Sequence, residues 1–143
     1  MSDKALITGI TGMVGSHLAD FLLENTDWEI YGVCRWRSPL DNVNHLLERV
    51  NRRERVYFEY ADLNDEISLM SVIRRNKPDY VFHLAAQSYP LTSFTAPLDT
   101  LNTNVLGTCR LLEALHGMMT EDEGYKPVIH ICASSEVFGK IPA

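Results

Sequence analysis

Apolar and amphipathic segments alternate along the whole chain. Five short apolar segments have the length and character of buried parallel strands: residues 5–7, 28–34, 56–60, 80–85 and 128–132. Four segments between them carry apolar residues at helical spacing: residues 13–23, 38–55, 66–75 and 97–118. Because parallel neighbouring strands need crossover connections, this alternation predicts an α/β fold, a doubly wound parallel sheet with helices on both faces.

The turn after the first predicted strand is rich in glycine. It contains, in order, Thr8, Gly9, Thr11, Gly12, Met13, Val14 and Gly15. Glycine permits positive φ and lets backbone N–H groups approach a diphosphate without an intervening Cβ, and the last glycine lets the helix pack close to the sheet. A plain tight turn is the alternative. The preceding strand and the following helix favour a Rossmann-like NAD(P)-binding domain.

Two further strand ends carry candidate cofactor residues. At the end of the second strand, where an acidic residue would hold the ribose of NAD, the chain has Cys34 and then Arg35. A planar guanidinium suits the 2′-phosphate of NADP, although a surface arginine lying over the sheet edge is the alternative. Asp62 follows the third strand, and it suits either the adenine amino group or a structural turn.

Composition and charge narrow the functional class. The 143 residues are 45% hydrophobic and 22% charged, with a net charge of −6, which indicates one globular domain and argues against a nucleic-acid partner. No apolar stretch is long enough to span a membrane, and no signal peptide is recognisable. Three widely spaced cysteines predict reduced thiols in the cytoplasm, and no residue group has the spacing of a metal site.

Several motifs, taken in order, resemble one family. These are 9–15 (GITGMVG), 62–63 (DL), 83–88 (HLAAQS), 104–108 (NVLGT) and 134–139 (SSEVFG). The pattern resembles the extended short-chain dehydrogenase/reductases that modify nucleotide sugars. Within that family the chain is most similar to the enzymes that dehydrate GDP-mannose.

The resemblance implies roles for individual residues. The implied cofactor is NADP, with NAD as second choice. It would be bound by the glycine turn, by Arg35 and by two later groups of residues: Asp62 with Leu63, and Leu84 with Ala85 and Ala86. It also implies a nucleotide sugar such as GDP-mannose contacted by four residues, Ser88, Ser134, Ser135 and Glu136. Ser134 would bond the sugar O4, and Glu136 would remove the C5 proton and help expel the C6 hydroxyl. The hydride removed from C4 would return to C6, and self-association as a homo-oligomer is also implied.

Position along the chain supports this placement independently. The sequence 134–136 follows the fifth predicted strand, and doubly wound folds bind ligands at the carboxyl ends of their strands. A carboxylate shielded from water beside a sugar would have a raised pKa, which suits proton transfer. The alternative is that these residues are a helix-capping loop, a common use of Ser followed by Glu.

The chain departs from the family pattern at several positions. The family's Tyr, with a Lys four residues later, occurs nowhere in residues 1–143, so we interpret them as one NAD(P)-binding domain without the carboxyl-terminal substrate part. Pro90-Leu91-Thr92 and Asn104 also differ from the dehydratase pattern. We therefore expect the chain alone to bind NADP without consuming sugar. A reductase or epimerase of the same family, and a non-catalytic NADP-binding module, remain as alternatives.

Some residues receive structural expectations. His83 and His130 lie in strand segments and are predicted to be core histidines with satisfied hydrogen bonds. Cys109 and Cys132 are predicted to be buried. The long segment 97–118 is predicted to be one helix with a core-facing stripe made of Leu101, Val105, Leu112 and Leu115.

Overall fold

The computed structural model describes residues 2–139, apart from the side chains of residues 135 and 136. The described residues form one parallel sheet in the strand order β3-β2-β1-β4-β5. Its strands are β1 (Lys4–Thr8), β2 (Glu29–Cys34), β3 (Val56–Tyr60), β4 (Tyr80–His83) and β5 (Val128–Ile131). The α-helices are α1 (Met13–Asn25), α2 (Leu47–Arg52), α3 (Glu66–Asn76), α4 (Pro90–Thr95), α5 (Pro97–Leu101) and α6 (Gly107–Glu121).

The core has two layers because side chains alternate across each strand. On one face of the central strand β1, Leu6 packs in a cluster that includes residues of α3 and α6. On the other face, Ala5 and Ile7 pack in a cluster that includes residues of α1 and the segment before α2. Helices therefore cover both faces, and the doubly wound parallel α/β prediction is confirmed.

The segment predicted as one helix over 38–55 is two shorter helices. A 3₁₀-helix, Asp41–Leu46, precedes α2. Residues three apart point the same way in a 3₁₀-helix, and this places both Val43 and Leu46 in the core. Arg53 then adopts a left-handed conformation, with φ of 55°, and ends α2.

The predicted helix over 97–118 is likewise interrupted. α4 precedes it, and a π-helical turn, Asn102–Leu106, separates α5 from α6. The stripe prediction was wrong at its first two positions, because Leu101 and Val105 are exposed whereas Leu115 is buried. An extra residue in a π turn rotates the helical face by about 100°, so residues on either side of the turn do not share a stripe.

Strand β5 and the residue that follows it are less buried than the sequence suggested, and so is one residue of α6. His130, Cys109 and Cys132 are exposed rather than buried, which corrects three predictions. β5 pairs with β4 alone among the described residues, so one edge and much of its surface meet solvent. Within the described part of the chain, no further strand covers His130 and Cys132.

Candidate functional site

A cleft of about 660 Å³ lies at the carboxyl ends of the central strands, the edge where doubly wound folds bind ligands. Its volume lies within the range of small-molecule and cofactor sites. Fourteen residues predicted from the sequence line it: Thr8, Gly9, Thr11, Gly12, Met13, Val14, Gly15, Arg35, Asp62, Leu63, Leu84, Ala85, Ala86 and Ser88. The fold thus brings the whole predicted cofactor set together.

The glycine turn needs glycine for steric reasons. Gly9 has φ of 75°, and a Cβ there would lie 2.9 Å from the Ala85 Cα. A Cβ on Gly15 would lie 2.3 Å from the Gly9 carbonyl oxygen. The Gly12 N–H donates to that same oxygen at 3.0 Å and closes the turn. These approaches are closer than any side chain allows, so the turn requires glycine at positions 9 and 15.

The first turn of α1 is built to receive an anion. Gly12 is its N-cap, and no side chain of the described residues caps it. Met13, Val14 and Gly15 form that first turn and line the cleft, so helix N–H groups and the positive end of the helix dipole face the cavity. A diphosphate fits this arrangement, because its charge is complementary and the glycines leave it room to approach.

A second turn, after β2, carries positive charge. The Ser38 N–H donates to the Arg35 carbonyl at 3.0 Å, and the Arg35 N–H donates to Ser38 Oγ at 3.2 Å. Arg35 and Ser38 line the cleft, whereas Arg37 is exposed and is not among the described residues lining it. Burial raises the pKa of the Cys34 thiol to about 11, so this neighbour carries no negative charge at pH 7. Ser38 was not predicted from the sequence.

Asp62 takes the structural-turn role, one of the two alternatives that the sequence left open, and it also lies at the cleft. Its Oδ1 accepts from the Asn64 N–H at 2.9 Å, which is a structural turn. The half-buried residue also lines the cleft. The N-cap of α3 is Asp65 instead, whose carboxylate accepts from the Ile67 and Ser68 N–H groups. The hydrogen bond within this turn fixes the position of a carboxylate whose residue lines the cavity.

The loop after β4 is attached to β1 through side chains. Thr8 Oγ1 accepts from the Leu84 and Ala85 N–H groups at 3.1 and 3.2 Å. It also lies 2.8 Å from His83 Nδ1, and His83 Nε2 lies 3.0 Å from Thr108 Oγ1. His83 is therefore the satisfied core histidine that the sequence predicted. Burial lowers the pKa of its imidazole below the ordinary value of 6.5.

Asn104, a residue outside the predicted site, orders the next part of this loop. Its Oδ1 accepts from the Gln87 N–H at 2.8 Å, and its Nδ2 donates to the Gln87 carbonyl at 3.0 Å. The Asn104 amide thus makes the two hydrogen bonds to the Gln87 backbone that a neighbouring β-strand would make. Asn104 lies in the π turn, and the turn's altered register presents its side chain to the loop. The sequence signal was Asn104's place in the 104–108 motif.

α6 also supports the loop after β3. Arg110 donates to the Leu63 carbonyl at 3.2 Å, and its other terminal nitrogen donates to Asn102 Oδ1 at 3.0 Å. Gly107 packs directly against Leu63, since a Cβ at position 107 would lie 2.8 Å from the Leu63 Cβ. One helix with its preceding π turn therefore positions two of the loops that line the cleft.

The residues predicted to contact the substrate are less closely grouped around the cleft than the predicted cofactor residues. Ser88 is exposed at the cleft. Ser134 follows β5 and precedes a 3₁₀ turn, Ser135–Phe138, and its carbonyl accepts from the Val137 N–H at 3.3 Å. Ser134 is not among the described residues that line the cavity. The side chains of Ser135 and Glu136 lie outside the described part of the structure.

The described residues show neither a metal-binding cluster nor a membrane-spanning helix. Across residues 2–139, no group of three His, Cys, Asp or Glu side chains is placed to hold a metal ion. Over the same part of the chain, no helix combines the length and the apolar character needed to cross a bilayer.

Comparison with known proteins gives a consistent pattern. The sequence model of the GDP-mannose 4,6 dehydratase family matches residues 6–143. GDP-mannose 4,6 dehydratase 2 of Arabidopsis thaliana is 41% identical over 143 residues, covering 96% of this chain and 38% of that protein. GDP-mannose 4,6-dehydratase of Vibrio cholerae serotype O1 is 40% identical over 144 residues, covering 96% of this chain and 36% of that protein. The chain thus spans less than two-fifths of the length of these relatives.

A solved structure agrees in fold. UDP-glucose 4-epimerase of Bifidobacterium longum, in complex with NAD+ and UDP, superimposes with a TM-score of 0.74 at 25% identity. The superposition covers 95% of this chain and 38% of that one. The sheet described above is therefore similar to that of a protein seen with a bound dinucleotide.

Proposed function

The chain belongs to the GDP-mannose 4,6-dehydratase family, and from that membership we propose that it is the NADP-binding part of an enzyme that dehydrates a nucleotide sugar, GDP-mannose. The observation that carries this proposal is the cleft, in which the uncapped start of α1 and an arginine turn occupy one cavity. Both features suit phosphate groups, one the diphosphate and the other a 2′-phosphate.

Each part of the cleft has a proposed partner in the dinucleotide. The glycine turn and the first turn of α1 hold the diphosphate, Arg35 holds the 2′-phosphate, and Asp62 with Leu63 holds the adenine. The loop 84–86 lies along the remaining length of the cofactor. When bound, NADP supplies a reversible hydride acceptor for the sugar. The chain's own residues bind and orient it and shield it from water.

The sugar chemistry is assigned to the loop after β5. We assign to Ser134 a hydrogen bond to the sugar O4 and to Glu136 removal of the C5 proton and protonation of the departing C6 hydroxyl. Ser88 and Ser135 complete the sugar side. A Tyr with a Lys four residues later, which this family uses to move the O4 proton, is absent from residues 1–143. We therefore expect this chain alone to bind the cofactor without converting the sugar.

Cofactor choice gives the sharpest test of this proposal. Arg35→Met should weaken NADP binding by about tenfold to a hundredfold, because charge-assisted hydrogen bonds to the 2′-phosphate would be lost. NAD lacks that phosphate, so its affinity should change little. Isothermal titration of both dinucleotides measures the difference. Arg37→Met is the matched control, since Arg37 lies two residues away and is not among the residues lining the cleft.

Two outcomes of the titration would contradict the assignment. Equal weakening of NAD and NADP by Arg35→Met would mean that the arginine supports the fold rather than the phosphate. If Arg35→Met and Arg37→Met weakened NADP binding equally, the 2′-phosphate would be attracted by the combined positive charge of the turn rather than bound by Arg35.

An epimerase is the second candidate, because the superimposed solved structure is a UDP-glucose 4-epimerase. The product distinguishes the two. A 4-keto-6-deoxy sugar supports the dehydratase, whereas a sugar inverted at C4 supports an epimerase. Glu136 favours dehydration, since inversion at C4 removes no proton from C5. We also propose that the protein is a cytoplasmic homo-oligomer, and the exposed apolar side chains of Leu98 and Leu101 in α5 and of Val105 in the π turn after it are consistent with self-association.

A further inference from the structure

The hydroxyl of Thr8 determines where the proton on His83 lies. Thr8 Oγ1 accepts from the Ala85 N–H at 3.2 Å and from the Leu84 N–H at 3.1 Å. The Leu84 N–H is also shared with the Thr8 carbonyl, at 3.3 Å. A hydroxyl has two acceptor lone pairs and one proton to donate. Because both lone pairs face backbone N–H groups, the proton must point at His83 Nδ1, 2.8 Å away. That nitrogen therefore carries no proton.

The other ring nitrogen leads to the same result independently. Thr108 Oγ1 donates its single proton to the Asn104 carbonyl at 2.7 Å. Toward His83 Nε2, at 3.0 Å, Thr108 can therefore only accept. His83 Nε2 must carry the proton. Two threonines on different elements, one at the end of β1 and one in α6, thus select the same neutral tautomer of one buried histidine.

We propose that His83, held as the neutral Nε2–H tautomer, is a positioning residue for the dinucleotide site. The inference rests on the proposed function, because the loop that His83 shapes is the one assigned to the cofactor. By receiving the Thr8 proton, His83 keeps the Thr8 lone pairs directed at Leu84 and Ala85. This holds Ala85 against Gly9, where the separation leaves no room for a Cβ.

The consequence is a constant spacing between two walls of the cleft. One wall is the glycine turn after β1, and the other is the loop after β4. A group at position 83 that donated to Thr8 would require the threonine to accept three protons with two lone pairs, and the threonine's own proton would lose its partner. The Leu84 and Ala85 N–H groups would then compete with the imidazole for Thr8 Oγ1. Burial favours the neutral ring as well, in line with the lowered pKa of His83.

Two amide variants separate the halves of the hydrogen-bond chain. Asn places its amide oxygen near the position of Nδ1, so His83→Asn can still accept from Thr8. Gln is longer and reaches the position of Nε2, so His83→Gln keeps a partner for Thr108 and loses the acceptor for Thr8. If the hydrogen bond from Thr8 to residue 83 is the one that shapes the cofactor site, NADP affinity should be nearly retained in His83→Asn and reduced in His83→Gln.

The first measurement uses the unmodified chain without cofactor. Nitrogen-15 NMR of the imidazole should show a protonated Nε2 and an unprotonated Nδ1. Titration of NADP should then give a dissociation constant for His83→Asn within about threefold of the parent, and one about tenfold weaker for His83→Gln, the effect of one lost buried hydrogen bond. Thermal midpoints of the two variants should agree, since each removes one bond.

A protonated Nδ1 would overturn the inference, and so would equal NADP affinities for the two variants. The tautomer is read on the parent chain, so misfolding of a variant does not affect that part of the test. If the parent bound neither NADP nor NAD, the proposed function would fail, and the positioning role would fail with it. A protonated Nε2 in that same sample would show that the hydrogen-bond chain exists and that only its assigned purpose was wrong.

Discussion

Strands β2 and β5 have similar apolar character and very different surroundings. β2 lies between β1 and β3, and its Ile30 is fully buried. β5 pairs with β4 alone within the described residues, and its Ile131 is 40% exposed. Strand sequence thus specifies the capacity for burial, whereas neighbouring elements decide whether burial occurs. The predicted cofactor residues lie on the well-covered side of the sheet, and the loop assigned to sugar chemistry follows the exposed strand.

Matched truncations in the two strands should have the largest effect and test this comparison directly. Ile30→Ala should lower the free energy of unfolding by about 4 kcal/mol, because a fully buried side chain would leave a cavity. Ile131→Ala should cost about 1 kcal/mol or less, since part of that side chain already meets water. Urea unfolding of both variants measures the difference. Equal losses would show that β5 is covered in solution, for instance by a second copy of the chain.

Two glycines give the next largest contrast. Gly15→Ala should lower the free energy of unfolding by about 3 kcal/mol, because its Cβ would press on the backbone of the glycine turn. Gly117 lies in α6 with nothing within 4 Å of the position its Cβ would take. Gly117→Ala should therefore raise the free energy of unfolding by up to about 1 kcal/mol through helix propensity.

Thermal unfolding of both glycine variants, with and without NADP, measures these effects. NADP should stabilise the parent and Gly117→Ala equally and should fail to stabilise Gly15→Ala. A Gly15→Ala protein with parental stability and parental NADP response would contradict the account of the turn.

Much of the cleft was predictable because its requirements are local. A strand, three spaced glycines and a helix specify the first turn, and an arginine at a strand end specifies charge. Asn104 and His83 act through partners 17 and 25 residues away in sequence, Gln87 and Thr108. No local pattern encodes such pairings. The π turn that presents Asn104 also caused the error at Leu101 and Val105, because a simple helical period assumes a constant register.

The burial of Cys109 and Cys132 was mispredicted for a related reason. Residue type indicates only that a thiol tolerates burial. Cys34 satisfies this expectation because it ends a strand with neighbours on both sides. Cys132 follows the edge strand β5, where cover is incomplete, and Cys109 lies in α6 but is not among the residues that this helix buries, so position in the fold rather than residue type decides their exposure.

The smallest expected effect concerns pH and returns to the well-covered side of the sheet. Burial lowers the pKa of His83 in the folded chain below its ordinary value of 6.5. Between these two pKa values the unfolded chain binds more protons than the folded chain, so stability falls as pH falls. The contribution of His83 to the free energy of unfolding is fully present above pH 6.5. It is lost as the pH decreases through the lower, folded-state pKa.

Urea unfolding between pH 8 and pH 5 isolates this effect when the parent is compared with His83→Asn, which cannot titrate in that range. The unfolding free energy of the parent minus that of His83→Asn should be constant above pH 6.5 and should decrease as the pH falls below 6.5. Other histidines are common to both proteins and cancel in the difference. A difference that stays constant across the whole range would mean that water reaches the imidazole in solution, and the covered side of the sheet would then be more open than its packing indicates.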